Sequence, residues 1–143
     1  MRSHLLRDLS IQGKEAILQK LPEFDFYNLR RVTSFSWSGE ADISSQPAAL
    51  DFTFIAVYHD PHRRSVSGVR TRCSGVKRLR LPELGASFVL TEIEVEDVST
   101  HQLEGVRFSL KDFGGSDFEV LCGNIELTIT SRISSPAIPA VSL

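Results

Sequence analysis

Ile93-Glu94-Val95-Glu96 and Val106-Arg107-Phe108-Ser109-Leu110-Lys111 decide the fold class. In both runs apolar and polar residues alternate one by one. A pleated strand therefore sends Ile93, Val95, Val106, Phe108 and Leu110 to one face, and Glu92, Glu94, Glu96, Arg107, Ser109 and Lys111 to the other. Strands that are apolar on one side only belong to antiparallel sheets with one face in water. Downstream, Gly114-Gly115 marks a turn, and Phe118 to Cys122 with Ile125, Leu127 and Ile129 continues the series past a bend or bulge at Gly123-Asn124.

Upstream the same period holds. Val69, Thr71 and Cys73 alternate with Arg70 and Arg72, and after Ser74-Gly75 the alternation resumes through Leu79 and Leu81 until Pro82 to Gly85 break it. Leu50 to Tyr58 has the Phe, Ile, Val and Tyr content of a strand, and Asp60-Pro61 opens a turn behind it. Ala41 to Pro47 reads as a loop. In Arg31 to Trp37 strict alternation places Val32, Ser34 and Ser36 on one face and Arg31, Thr33, Phe35 and Trp37 on the other. About eight strands result, enough for a sandwich, a half-barrel or a strongly curved sheet.

The N-terminus has a different period. Leu5, Leu6, Leu9, Ile11, Ala16, Ile17, Leu18 and Leu21 recur at gaps of three and four, interrupted by Gly13 and closed by Pro22, which predicts one or two short amphipathic helices within about residues 4–21. A helix with one apolar stripe must cover something, and the sheet is what the chain supplies. The expected fold is thus α+β and mainly β, an N-terminal helix packed on a curved antiparallel sheet. One domain is expected over residues 1–133, with 134–143, which contain Pro136 and Pro139, as a flexible tail.

Composition narrows the function classes. With 41% hydrophobic and 24% charged residues the chain is that of a globular protein, and a formal charge of −2 provides no overall field for a polyanion or an anionic membrane. Few aromatics interleave the arginines, which disfavours nucleic-acid stacking. Asp8, Lys14 and Glu15 interrupt the apolar residues of the N-terminus, unlike a signal peptide, so a cytoplasmic location is expected, with Cys73 and Cys122 as reduced, buried thiols. No stretch is apolar enough for a membrane-spanning helix.

No catalytic constellation is assembled in the sequence. His59-Asp60-Pro61-His62 contains metal-ligand types, but with a proline in its middle it is explained by turn chemistry, and no metal is expected. Cys73 lacks any signature tying it to a base. The glycines sit among strands and not before a helix, so no phosphate-cradling loop or nucleotide cofactor is expected. Charge distribution is more informative: Arg63, Arg64, Arg70, Arg72, Lys77, Arg78 and Arg80 are seven of the sixteen cations. The neighbouring segment carries Glu92, Glu94, Glu96 and Asp97. If the two strands lie side by side they neutralise each other through cross-strand pairs. If they do not, Arg70, Arg72, Lys77, Arg78, Arg80, Glu92, Glu94 and Glu96, with aromatic contacts such as Tyr27 or Tyr58, are the candidate partner-binding residues.

Three stretches carry a resemblance: Val69-Arg70-Thr71-Arg72-Cys73-Ser74-Gly75-Val76-Lys77-Arg78-Leu79-Arg80-Leu81, then Ile93-Glu94-Val95-Glu96, then Phe118-Glu119-Val120-Leu121-Cys122-Gly123-Asn124-Ile125-Glu126-Leu127. In strand lengths and turn residues, from about Arg31 to Ile129, the chain resembles a bacterial immunity-protein family of polymorphic toxin systems. The resemblance implies a non-catalytic protein that neutralises a cognate toxin by occlusion, and it assigns no functional residues. The alternative is a small-molecule-binding β domain with a ligand pocket on the concave sheet face. An open antiparallel sheet also leaves edges through which a homodimer could form.

Overall fold

The computed structural model describes residues 6–38, 50–60, 65–82, 88–101, 104–114 and 116–130. Residues 134–143, expected as a tail, lie outside them, as do Pro61 and His62 of the histidine-containing turn. One helix, α1 (Lys14–Lys20), precedes nine strands: β1 (Leu29–Ser38), β2 (Leu50–Asp60), β3 (Ser65–Val76), β4 (Arg78–Arg80), β5 (Phe88–Val89), β6 (Ile93–Asp97), β7 (Phe108–Asp112), β8 (Glu119–Cys122) and β9 (Asn124–Ile129). They form two open antiparallel sheets, one of five strands in the order β5-β1-β2-β3-β9 and one of four in the order β4-β8-β7-β6. The fold is α+β and mainly β, as the alternating pattern requires.

Two strand pairs turn the corner from one sheet to the other. β3 pairs with β9 in the first sheet, and their continuations β4 and β8 pair in the second. At the corner the Gly123 N–H donates to the carbonyls of Ser74 (3.0 Å) and Gly75 (3.2 Å), and the Lys77 N–H donates to Leu121 (2.8 Å). Gly75 adopts φ +64°, which lets β3 bend there. The paired ribbon thus keeps its hydrogen bonds through the bend.

The facing sides of the sheets make the core. Phe52, Phe54, Ala56 and Tyr58 of β2, Val69 and Cys73 of β3 and Ile125 and Leu127 of β9 meet Ile93 and Val95 of β6, Phe108 and Leu110 of β7 and Val120 and Cys122 of β8, all buried. Phe118 ties the layers together through ring contacts with Phe54 (5.4 Å, edge to face) and Phe88 (5.6 Å). Thr71 shares this interior, and its hydroxyl is buried with no hydrogen-bond partner among the described residues. Replacing a buried, unsatisfied hydroxyl by a methyl group removes a desolvation cost. Thr71→Val is therefore expected to raise stability by about 1 kcal/mol, read as a higher urea midpoint at unchanged slope; a lower midpoint would show that the hydroxyl is satisfied in solution.

Strand β1 departs from strict alternation. Its register with β2 shifts between Val32 and Ser34, so that Val32 lies opposite Ala56 and Phe35 opposite Phe54. The extra residue, Thr33, turns the strand by one position: Val32 and Phe35 both face the core, while Ser34 and Ser36 face outward, reversing the expected grouping of Val32 with the serines.

The N-terminal helix is shorter than its apolar spacing predicts. Leu6–Asp8 form one 3₁₀ turn and α1 begins only after Gly13, which adopts φ +84°. Ile17 is its buried residue, whereas Ala16, within the expected stripe, is exposed. Gln12 forms a parallel bridge with Glu126: its N–H donates to Ile125 (3.1 Å) and its carbonyl accepts from Leu127 (2.9 Å). The segment therefore closes the outer edge of β9 and packs α1 beside that strand.

Candidate functional site

The basic and acidic strands are not neighbours. β3 lies in the five-stranded sheet, and β4 and β6 occupy opposite edges of the four-stranded one with β8 and β7 between them. The expected mutual neutralisation is replaced by pairing with other strands. Arg78 and Arg80 both approach Glu119 of β8, at 3.8 and 3.9 Å. The cross-strand row Arg80, Glu119, Lys111, Glu94 alternates in sign across the whole four-stranded sheet. Arg107 reaches Asp97 at 3.4 Å; hydrogen bonds from Ser99, joined by Arg107, hold the Asp97 carboxyl below its usual range. The outer face of this sheet balances its own charge.

The outer face of the five-stranded sheet does not. Arg72 is engaged by Asp51 (2.8 Å) and by Glu126 (3.9 Å). Arg31 on β1 and Arg70 on β3 have no ion-pair partner among the described residues. Strand β2 runs between them: Arg31 lies opposite Val57 and Arg70 opposite Ile55. Ile55 and Val57 are half-buried although they face away from the core, with Thr53, Val66, Ser34 and Thr128 around them. Among the described residues nothing covers this outward face, whose apolar centre lies between the Arg31 and Arg70 guanidinium groups.

Of the residues expected to bind a partner, Arg70 is on this surface and Arg72 is committed to Asp51. Lys77, Arg78, Arg80, Glu94 and Glu96 lie on the corner and the other sheet, and Glu92 precedes β6. Tyr58 is a correction, because it is 1% exposed and sits in the core. Its hydroxyl donates to the Glu23 carbonyl and accepts from the Asp25 N–H, both at 3.3 Å, and Phe24 stacks on its ring; burial pushes the phenol upward from 10.0. It anchors the segment before β1 and cannot touch a partner. Arg31, Ile55 and Val57 were not singled out in the sequence. The signal for the last two was the run Phe54 to Tyr58, which is apolar on both faces of one strand.

Other clusters serve the fold. Asp112, 3% exposed, accepts from the N–H groups of Glu92 (2.9 Å), Gly114 (2.9 Å) and Thr91 (3.3 Å) and from the hydroxyls of Ser116 (2.6 Å) and Thr91 (3.3 Å). Cys73 and Cys122 are free, buried and in contact; the hydrogen bond from Cys122, then burial, push the Cys73 thiol well up, which suppresses its thiolate. His59 is exposed and Asp60 buried, on opposite faces of β2. Among the described residues no three His, Cys, Asp or Glu side chains are grouped to hold a metal ion, and no helix is long and apolar enough to cross a membrane.

Phe52, Phe54, Phe108 and Phe118 are buried between the sheets. A cleft of about 580 Å³ lies at the N-terminal segment, lined by Leu6, Arg7, Leu18, Pro22, Glu23, Phe24 and Asp25. Comparison with protein-family models, with curated proteins and with solved structures returns no match.

Proposed function

We propose that this protein is a non-catalytic, cytoplasmic protein-binding domain of immunity type, which occludes an acidic surface on a partner such as a toxin with the outer face of its five-stranded sheet. The observation that carries the reading is the pair Arg31 and Arg70, without an ion-pair partner among the described residues, on either side of Ile55 and Val57. An apolar centre flanked by arginines is the composition of an energetically productive interface. The charges accelerate encounter and select an acidic partner, and the apolar strip contributes affinity. Occlusion needs a complementary surface and no chemistry.

A photoreactive amino acid at Ile55 should cross-link one discrete protein in the source cells, and the same probe at Ser109 on the self-neutralised sheet should not. The double charge reversal Arg31→Glu with Arg70→Glu should lower capture about tenfold or more, and so should added salt. Equal capture from both sheets, or capture indifferent to the reversal, would overturn the proposal.

A further inference from the structure

Cys73 and Cys122 belong to different sheets, yet the corner brings them together. Cys73 lies opposite Ile125 in the β3–β9 pair, and Cys122 lies opposite Phe108 in the β7–β8 pair. One residue beyond each, the Gly123 N–H donates to the carbonyl of Ser74 at 3.0 Å. The ribbon bends there toward its apolar side, so the two cysteine side chains, both 0% exposed and both in the core, converge across the bend. Their sulfurs are within hydrogen-bond reach of each other. Closing by about 1.5–2 Å takes sulfurs in such contact to the bonded separation of about 2 Å.

We propose that Cys73 and Cys122 are a redox modification site, reduced in the resting protein and joined by hydrogen peroxide into a disulfide within the chain that fastens the two sheets together at their corner. In the first step one sulfur attacks a peroxide oxygen, the O–O bond breaks, and a sulfenic acid and a water result. In the second the other sulfur attacks the sulfenic sulfur, the S–O bond breaks, and a second water leaves. The two thiols thus give up two electrons and two protons, and the peroxide is reduced to two waters. A second thiol already in contact captures the sulfenic acid before further oxidation. The hydrogen bond with Cys122, and then burial, hold the Cys73 thiol well above its usual range, so its thiolate is scarce and the reaction is slow. The bond links residues remote in sequence, which restricts the unfolded chain.

The test treats the full chain, purified reduced, with hydrogen peroxide, and then counts thiols with a maleimide in urea. The chain has two cysteines, so two labels are expected before treatment and none after it, with both restored by dithiothreitol. Peptide mapping should find Cys73 joined to Cys122 of the same chain with the loss of two hydrogens. The oxidised protein should unfold at a higher urea concentration than the reduced one, and dithiothreitol should abolish the difference. In Cys122→Ser the same treatment should leave the urea midpoint unmoved. Should that variant fold poorly, the label count, the peptide map and the two midpoints of the parent decide alone. Two labels persisting after peroxide, oxygen gained on the Cys73 or Cys122 peptide in place of the link, a disulfide between chains, or an oxidised protein with the lower midpoint would overturn the inference.

Discussion

Asp112→Ala is expected to destabilise the protein by about 3 kcal/mol and to lower its melting temperature by roughly 10 °C. The carboxylate ends β7 and gathers five donors from two segments remote in sequence, Thr91 and Glu92 before β6 and Gly114 and Ser116 after β7. Alanine would leave these part-buried donors without their charged acceptor, and hydrogen bonds to a charged group contribute more than neutral ones. Asp112→Asn retains one acceptor oxygen and presents an amide where the Thr91 N–H donates, so about half the loss is expected. Calorimetry orders the three proteins; an alanine variant equal to the parent would show that water replaces the clamp.

The same carboxylate predicts an acid response. Burial opposes its charge, but the hydrogen bonds from Ser116, Gly114, Glu92 and Thr91 outweigh burial and hold it below its ordinary 3.8. A carboxyl depressed by folding contributes stability that is fully present above its unfolded value and is lost as the pH falls through that value toward the folded one. Below about pH 5 the parent should therefore lose stability faster than Asp112→Asn, and the two curves should converge in acid. Parallel curves would remove Asp112 from the acid response.

Gly13→Ala is expected to be comparably severe, costing about 3 kcal/mol. Gly13 has φ +84°, a region costly to residues with a Cβ, and a Cβ there would collide with the backbone carbonyl oxygen of Leu127. Relief would require moving Gln12 off β9 and breaking both of its hydrogen bonds to that strand. Gly75→Ala separates the two contributions. It has φ +64°, but its Cβ would meet nothing closer than 3.6 Å, so only the backbone cost of about 1 kcal/mol is expected. Equal losses from the two substitutions, measured by urea unfolding, would show that crowding against Leu127 is relieved without cost.

The strands with strict alternation, β6, β7 and the middle of β3, were legible because one face of each is dry and the other wet. β1 misled because a bulge adds a residue without announcing itself: Thr33 is as acceptable in a regular strand as in a bulged one, and only the register with β2 reveals it. β5, at two residues, is too short for any period. The site was legible in part. The sequence placed Arg70 and Arg72 on an outward face, but which of them is neutralised depends on Asp51, twenty-one residues away from Arg72. Tyr58 looked available for contact because the segment that closes over it, Glu23 to Asp25, is remote in sequence. Asp112 was not singled out in the sequence, since its donors at Thr91 and Glu92 lie 21 and 20 residues away.

The corner at which β3 becomes β4 and β8 becomes β9 also governs the order in which the chain can assemble. β1, β2 and β3 follow one another and can pair as soon as they exist, but the apolar side of that meander finds its cover only when β6 to β8 arrive, and its last strand, β9, comes after them. Contacts between segments so distant in sequence are slow to close. During synthesis β1 to β3 therefore precede their cover, and Phe52, Phe54 and Val69 stay uncovered until β6 to β8 follow.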